Sequence, residues 1–177
     1  MGDTDEGRRV IPFRRRKDGR VIGRFRQEEA QLLTSLAEES VELARAAADP
    51  DAPAGHDPAL RRLLPDAYPG DPEASAEFRR FTAAGLADRK EANARVVIES
   101  LAQREGDPVE AVLDEAQATA WLRAITDIRL VLAARLGILE DGDEGDIHDQ
   151  ETALQRAVYD WLAAVQEFLV LALQSRR

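Results

Sequence analysis

Apolar positions recur every three or four residues over four long stretches of this chain, and they alternate with polar ones over short stretches near 10–26 and 109–113. The first long stretch, "QEEAQLLTSLAEESVELARAAA", puts Leu32, Leu33, Leu36, Ser40, Leu43 and Ala44 on one side of a helix that ends in the loop "DPDAPAGHDP". A Pro-punctuated connector, "DPALRRLLPDAYPGD", follows, with Leu60, Leu63, Leu64 and Tyr68 expected on the core. Asp71 then reads as the cap of a second helix with Pro72 at its first position. Phe78, Phe81, Leu86, Val97 and Leu101 make that helix's expected apolar side, and "EGDP" stops it near Glu105. "VEAVL" predicts a short strand, and Asp114 with Gln117 predicts a capping box. In the helix that follows, Trp121, Leu122, Ile125, Ile128, Leu132 and Leu136 form a core stripe, with Gly137 near its end. The last helix, about 150 to 174, carries Leu154, Val158, Trp161, Leu162, Val165, Phe168 and Leu169. Its end, "FLVLAL", is apolar nearly all round, as expected of a central helix or of a subunit interface.

"VIPFRR" and "RVIGRFR" flank "KDG", a hairpin signal whose register the burial pattern selects. A two-residue Asp18-Gly19 turn would mix Ile11, Phe13 and Ile22 with Arg15, Arg24 and Arg26 on one face. A three-residue loop, Lys17-Asp18-Gly19 with Gly19 left-handed, pairs residue i with 36−i and sorts the faces. Ile11, Phe13, Val21 and Phe25 then share one side, and Arg14, Arg16, Arg20, Arg24 and Arg26 the other. One buried face favours this second register.

These elements predict a mainly α (α+β) protein. Its four main helices form a bundle, and the N-terminal β-hairpin joins the later strand near 109–113 in a small antiparallel sheet. The chain reads as one domain over 1–177, with a flexible tail at 1–8, the basic hairpin at 9–26 and a helical body from 27. Composition adds constraints. Hydrophobic content of 44% and charged content of 33% suit a globular protein. The absence of Cys removes thiolate catalysis, disulfides and thiolate metal sites. His56 and His148 stand far apart, so no metal site and no cofactor are expected. No apolar stretch of the roughly 18–20 residues that span a bilayer is evident, and the expectation is a cytoplasmic protein with no membrane contact.

Charge divides the chain. Residues 1–26 hold nine Arg and Lys against four acids, leaving 15 basic and 30 acidic residues beyond, for a total of -10. Such a body repels phosphates, so nucleic acid would be met only where the hairpin carries it out of that field. Strands of six or so residues reach about 20 Å, against a screening length near 8 Å at physiological salt. A two-stranded ribbon can enter a DNA major groove, and Arg14, Arg16, Arg20, Arg24 and Arg26 are the candidate contacts. The plainer reading is a solvated Arg face that discourages edge pairing or docks on the protein's own acids.

Other motifs carry less. With Glu140 as position 1 of a calcium loop, Gly145 and Glu151 fall correctly, but Gly142 occupies a ligand position, which favours a solvated acidic loop. Trp121 and Trp161, at helical spacing among Leu, Ile and Val, read as core. Asp127 and Arg123 form an i, i+4 pair. No phosphate-cradling glycine loop, nucleophile elbow or HExxH is present, and no enzymatic activity is expected.

The segments "DPALRRLLPDAYPGDPEASAEFRRF", "WLRAITDIRLVLAARLGI" and "VYDWLAAVQEFL" together resemble the actinobacterial domain-of-unknown-function family that includes the AosR-like oxidative-stress regulators. Its pattern maps onto Asp57, Pro58, Leu63, Pro65 and Tyr68, onto Trp121, Leu122, Asp127, Arg129 and Leu130, and onto Tyr159, Trp161, Leu162 and Gln166. Thr126 stands where the family commonly has Asn, and Ala133 and Ala134 replace a usual Gly-Thr. The resemblance implies a non-enzymatic regulator of transcription or stress response, linked to sulfur or amino-acid metabolism and acting through DNA and a sigma factor. The motif residues Asp57, Pro58, Pro65, Tyr68, Trp121, Asp127, Arg129, Tyr159 and Trp161 are expected to be structural. A disulfide sensor is excluded by composition. The alternative is a protein-protein adaptor with no DNA contact, its partner in the transcription machinery, and the apolar last helix suggests a homodimer.

Overall fold

The computed structural model describes residues 13–49, 57–102, 108–140 and 142–175. The chain runs β1 (Phe13–Arg15), β2 (Val21–Phe25), α1 (Gln27–Ala48), α2 (Pro58–Leu63), α3 (Pro72–Leu101), β3 (Val109–Leu113), α4 (Glu115–Arg135) and α5 (Gln150–Gln174). Mainly helical architecture with a small antiparallel sheet is as expected. Among the described residues there are five helices, the additional one being α2, which lies within the connector. Local chemistry explains it. Asp57 accepts from the Ala59 backbone N–H at 2.8 Å, and Pro58, preset for a helix, sits at the first turn.

Strand order is β1-β2-β3. Phe13 faces Gly23, Arg14 faces Ile22 and Arg15 faces Val21, the register that a three-residue loop predicts. The Arg16 N–H donates to the Arg20 carbonyl at 2.7 Å, and Gly19 takes φ 86°. Ile11 and the tail at 1–8 lie outside the described residues. On the inner face Phe13, Val21 and Phe25 are buried with Val109, Ala111 and Leu113. Phe25 stacks on Trp121 with ring centres 5.6 Å apart, and Phe13 meets both rings edge-on at 5.5 and 5.7 Å. Each such pair contributes about 0.5–1.5 kcal/mol beyond its buried area. Trp121 Nε1 donates to Ser100 Oγ at 2.9 Å, so the buried indole is satisfied. A Cβ at Gly23 would lie 2.8 Å from the Phe13 ring and 2.9 Å from the Phe25 ring, so the aromatic cluster requires glycine there.

α4 is the central helix and touches α1, α2, α3 and α5. The Asp114–Gln117 capping box opens it, with bonds of 2.8 and 2.9 Å. Left-handed Gly137 closes it in a Schellman motif, in which the Ile138 N–H reaches the Ala133 carbonyl and the Gly137 N–H that of Ala134. α3 begins as expected, with Asp71 accepting from the Ala74 N–H at 3.0 Å, but its helix ends at Leu101 rather than near Glu105.

Two expectations about the core fail. Phe78 and Phe81 do not form the buried side of α3, since Phe81 is 81% exposed. The first half of α3 buries Ser75, Ala83 and Ala87 instead, and Ala83 packs with the equally small Ala47 of α1. Close helix approach selects the small stripe and turns the phenylalanines outward. Tyr68 is likewise exposed, with its ring 6.0 Å from that of Phe78. A third expectation, that no segment could span a bilayer, also fails. By length and composition alone α5 could do so. In this fold its Leu162, Val165 and Leu169 are buried in the main core.

Candidate partner-binding face

Alternation along β1 and β2 places Arg14, Ile22 and Arg24 on the outer face of the sheet, with Glu110 and Val112 beside them on β3. All five candidate arginines, Arg14, Arg16, Arg20, Arg24 and Arg26, are exposed. They are not equivalent. Arg24 Nε is 2.7 Å from Glu110 Oε1, its direct cross-strand neighbour. Arg26 precedes α1, and the Glu29 carboxylate accepts from both its backbone N–H and its guanidinium, at 2.8 and 3.0 Å. Arg16 lies 3.6 Å from Asp18 in the loop. Arg14, Lys17 and Arg20 have no ion-pair partner among the described residues.

The hairpin is no free ribbon. β2 is the middle strand, the inner face is packed on Trp121, and the described strands are three and five residues long. Arg15, which the face assignment left out, turns inward and donates from Nη1 to the Leu173 carbonyl at 2.8 Å, in the last turn of α5. A cation there meets the negative end of the helix dipole. A concavity of about 790 Å³ lies alongside, lined by basic residues from Arg14 to Lys17 and by Arg24, with Asp18 the one acid, around Phe13 and Ile22.

The motif residues occupy other places. Asp57 and Pro58 start α2, and Pro65 follows its C-cap, Leu64. Trp121 is the core centre, and Trp161 is half-buried at the core's edge. Arg129 donates to Gln166 Oε1 at 2.8 Å and lies over the Tyr159 ring at 4.7 Å, and Arg156 flanks the same ring at 5.9 Å. Gln166 Nε2 in turn donates to Thr126 Oγ1 at 2.8 Å.

Asp127 is the exception among them. The i, i+4 pair with Arg123 does not form. Instead the Asp127 side chain, 8% exposed, accepts from Lys90 Nζ of α3 at 2.6 Å. Burial pushes its carboxyl above the ordinary carboxylate range, and the Lys90 ammonium pulls the other way. Lys90 was not legible as its partner, because a contact between α3 and α4 leaves no local spacing signal. Among the described residues no group of three His, Cys, Asp or Glu could hold a metal ion.

The sequence profile of a family described as "Domain of unknown function (DUF2017)" matches residues 10–173. The chain is 34% identical over 134 residues to proteins named oxidative stress regulator AosR from Mycobacterium bovis and from Mycobacterium tuberculosis. In each case the match covers 68% of this chain and 60% of the relative, so the chain spans about 60% of the length of these curated relatives. No solved structure matches it.

Proposed function

The chain belongs to the DUF2017 family, and on that premise we propose that it is a stress-response regulator that works by binding rather than catalysis, its outer sheet face meeting the phosphate backbone of DNA. The regulatory part rests on relatives whose names call them oxidative stress regulators. The DNA part rests on one observation. Arg14, Lys17 and Arg20 stand exposed and unpaired among the described residues, at the hairpin end of an acidic chain. A sheet packed on its inner face offers cations to phosphates rather than a free ribbon to a groove, so the contact positions the protein and reads little sequence. The chain has no cysteine, so a thiol-based oxidant signal would reach it from another molecule.

Three phosphate contacts make affinity fall about 40-fold between 50 and 200 mM salt, whereas five would give a fall of about 500-fold. A salt titration on duplex DNA, with the intact chain and with Arg14→Gln/Lys17→Gln/Arg20→Gln, tests the reading. The expected result is the shallower slope, flattened in the variant. Salt-independent binding, or a variant that binds as tightly, would overturn it.

A second reading is a protein adaptor. It is favoured by Arg24 and Arg26 being engaged already by Glu110 and Glu29, and by half-buried Ile22 and Val112 on the same face. Mixed charge around apolar positions suits a protein partner. Pull-down after nuclease treatment separates the two, because an adaptor keeps its partners.

A further inference from the structure

α3 and α4 leave between them an open groove of about 480 Å³ on a different part of the fold from the sheet. That size lies within the range of small-molecule sites. One part is apolar, formed by Leu86 and Leu122, and the pair Lys90–Asp127 lines the same groove. A buried ion pair is a poor stabilising device, since its desolvation offsets the attraction and apolar replacements often do as well. Where such a pair lines a cavity it makes the cavity a candidate functional site. Lys90 spends one N–H on Asp127 and keeps two. Arg89 and Arg123 stand exposed at the same groove with no ion-pair partner among the described residues. Three cations thus face one acid in a chain of net charge -10. A concentration of positive charge in a concavity focuses field on an anion. Thr126 fixes the wall, since its hydroxyl donates to the Leu122 carbonyl and accepts from Gln166, both at 2.8 Å.

We propose that the α3–α4 groove binds a small anionic molecule, a carboxylate or a phosphate ester, whose anionic oxygens lie among Arg89, Arg123 and the Lys90 ammonium while its hydrocarbon part rests on Leu86 and Leu122. The site is separate from the sheet face, and its test involves no DNA. Calorimetric titration of the intact chain with glycerol 3-phosphate and, separately, with succinate distinguishes the two anion classes. Saturable binding of one probe is expected, weakened about tenfold or more in Arg89→Gln/Arg123→Gln, as loss of charged hydrogen bonds implies. Both arginines are exposed, so the variant keeps its fold, which circular dichroism checks. Arg14→Gln/Arg20→Gln should bind the probe as the wild type does. No saturation with either probe would overturn the proposal. So would equal binding by the Arg89→Gln/Arg123→Gln variant, or loss confined to the Arg14→Gln/Arg20→Gln variant.

Discussion

Replacing Lys90 by Met keeps the aliphatic stem and removes the only hydrogen-bond donor that Asp127 has among the described residues. The carboxylate, 8% exposed, then loses the cation that touches it. Removing one partner of a buried pair costs about 3–5 kcal/mol, and the adjoining groove, open to solvent, argues for the lower figure. About 3 kcal/mol corresponds to a fall in Tm of roughly 6–12 °C for a chain of this size. The loss must depend on pH in a definite direction. The folded carboxyl already titrates above its ordinary 3.8, because burial outweighs the pull of Lys90, and without Lys90 it rises further. Between the unfolded and folded values the folded state holds more protons. Stability therefore falls as pH rises through that window and returns as pH drops toward 3.8. Lys90→Met/Asp127→Leu removes both charges and should recover to within about 1 kcal/mol of the wild type. Urea denaturation followed by tryptophan emission from pH 4 to pH 8 measures all of this. The reasoning is refuted if Lys90→Met costs no more than Arg89→Met, if its cost does not shrink at low pH, or if the double variant is worse than the single one.

Gly23→Ala should cost about 1–3 kcal/mol, because its Cβ would lie 2.8 Å from the Phe13 ring and 2.9 Å from that of Phe25; chemical denaturation checks it, and an unchanged midpoint would mean that the hairpin docks differently. Glu91 is held at about 2 by hydrogen bonds from Arg45 and then Arg95. Its lowered folded value means that its contribution is complete above the ordinary 4.5 and is lost as pH falls through about 2. Glu91→Gln should therefore be less stable than the wild type at neutral pH and converge with it near pH 2, read from thermal melts across that range.

The sheet was legible because burial of one face leaves a single tolerable register. Phe13, Val21 and Phe25 must share a side, and only the Lys17-Asp18-Gly19 loop puts them there. Caps were legible for a similar reason: Asp71, Asp114 and Gly137 act through neighbours within a few residues. The first half of α3 was misread because hydrophobicity ranks Phe78 and Phe81 above Ala83 and Ala87, whereas two closely packed helices need small side chains. Nor could local spacing identify the partner of Asp127. Arg123 stands one turn from Asp127, yet the carboxylate turns toward the core and finds Lys90 on another helix. For the five arginines assigned to the outer face, local pattern established exposure but not the neutralisation of Arg24, which depends on Glu110 arriving from a strand more than eighty residues away.

The Arg15 bond to the Leu173 carbonyl joins residues 158 apart in sequence. A chain made from its N-terminus meets the first half of this contact long before the second. At 5–20 residues per second the delay is roughly 8–30 s, far longer than the microseconds in which a hairpin can close. The rings of Phe13 and Phe25 have no Trp121 to cover them until α4 emerges, and Arg15 has no helix end to cap until α5 is nearly finished. Among the described elements the hairpin is thus made first and secured last, and until α4 arrives its apolar face stays uncovered.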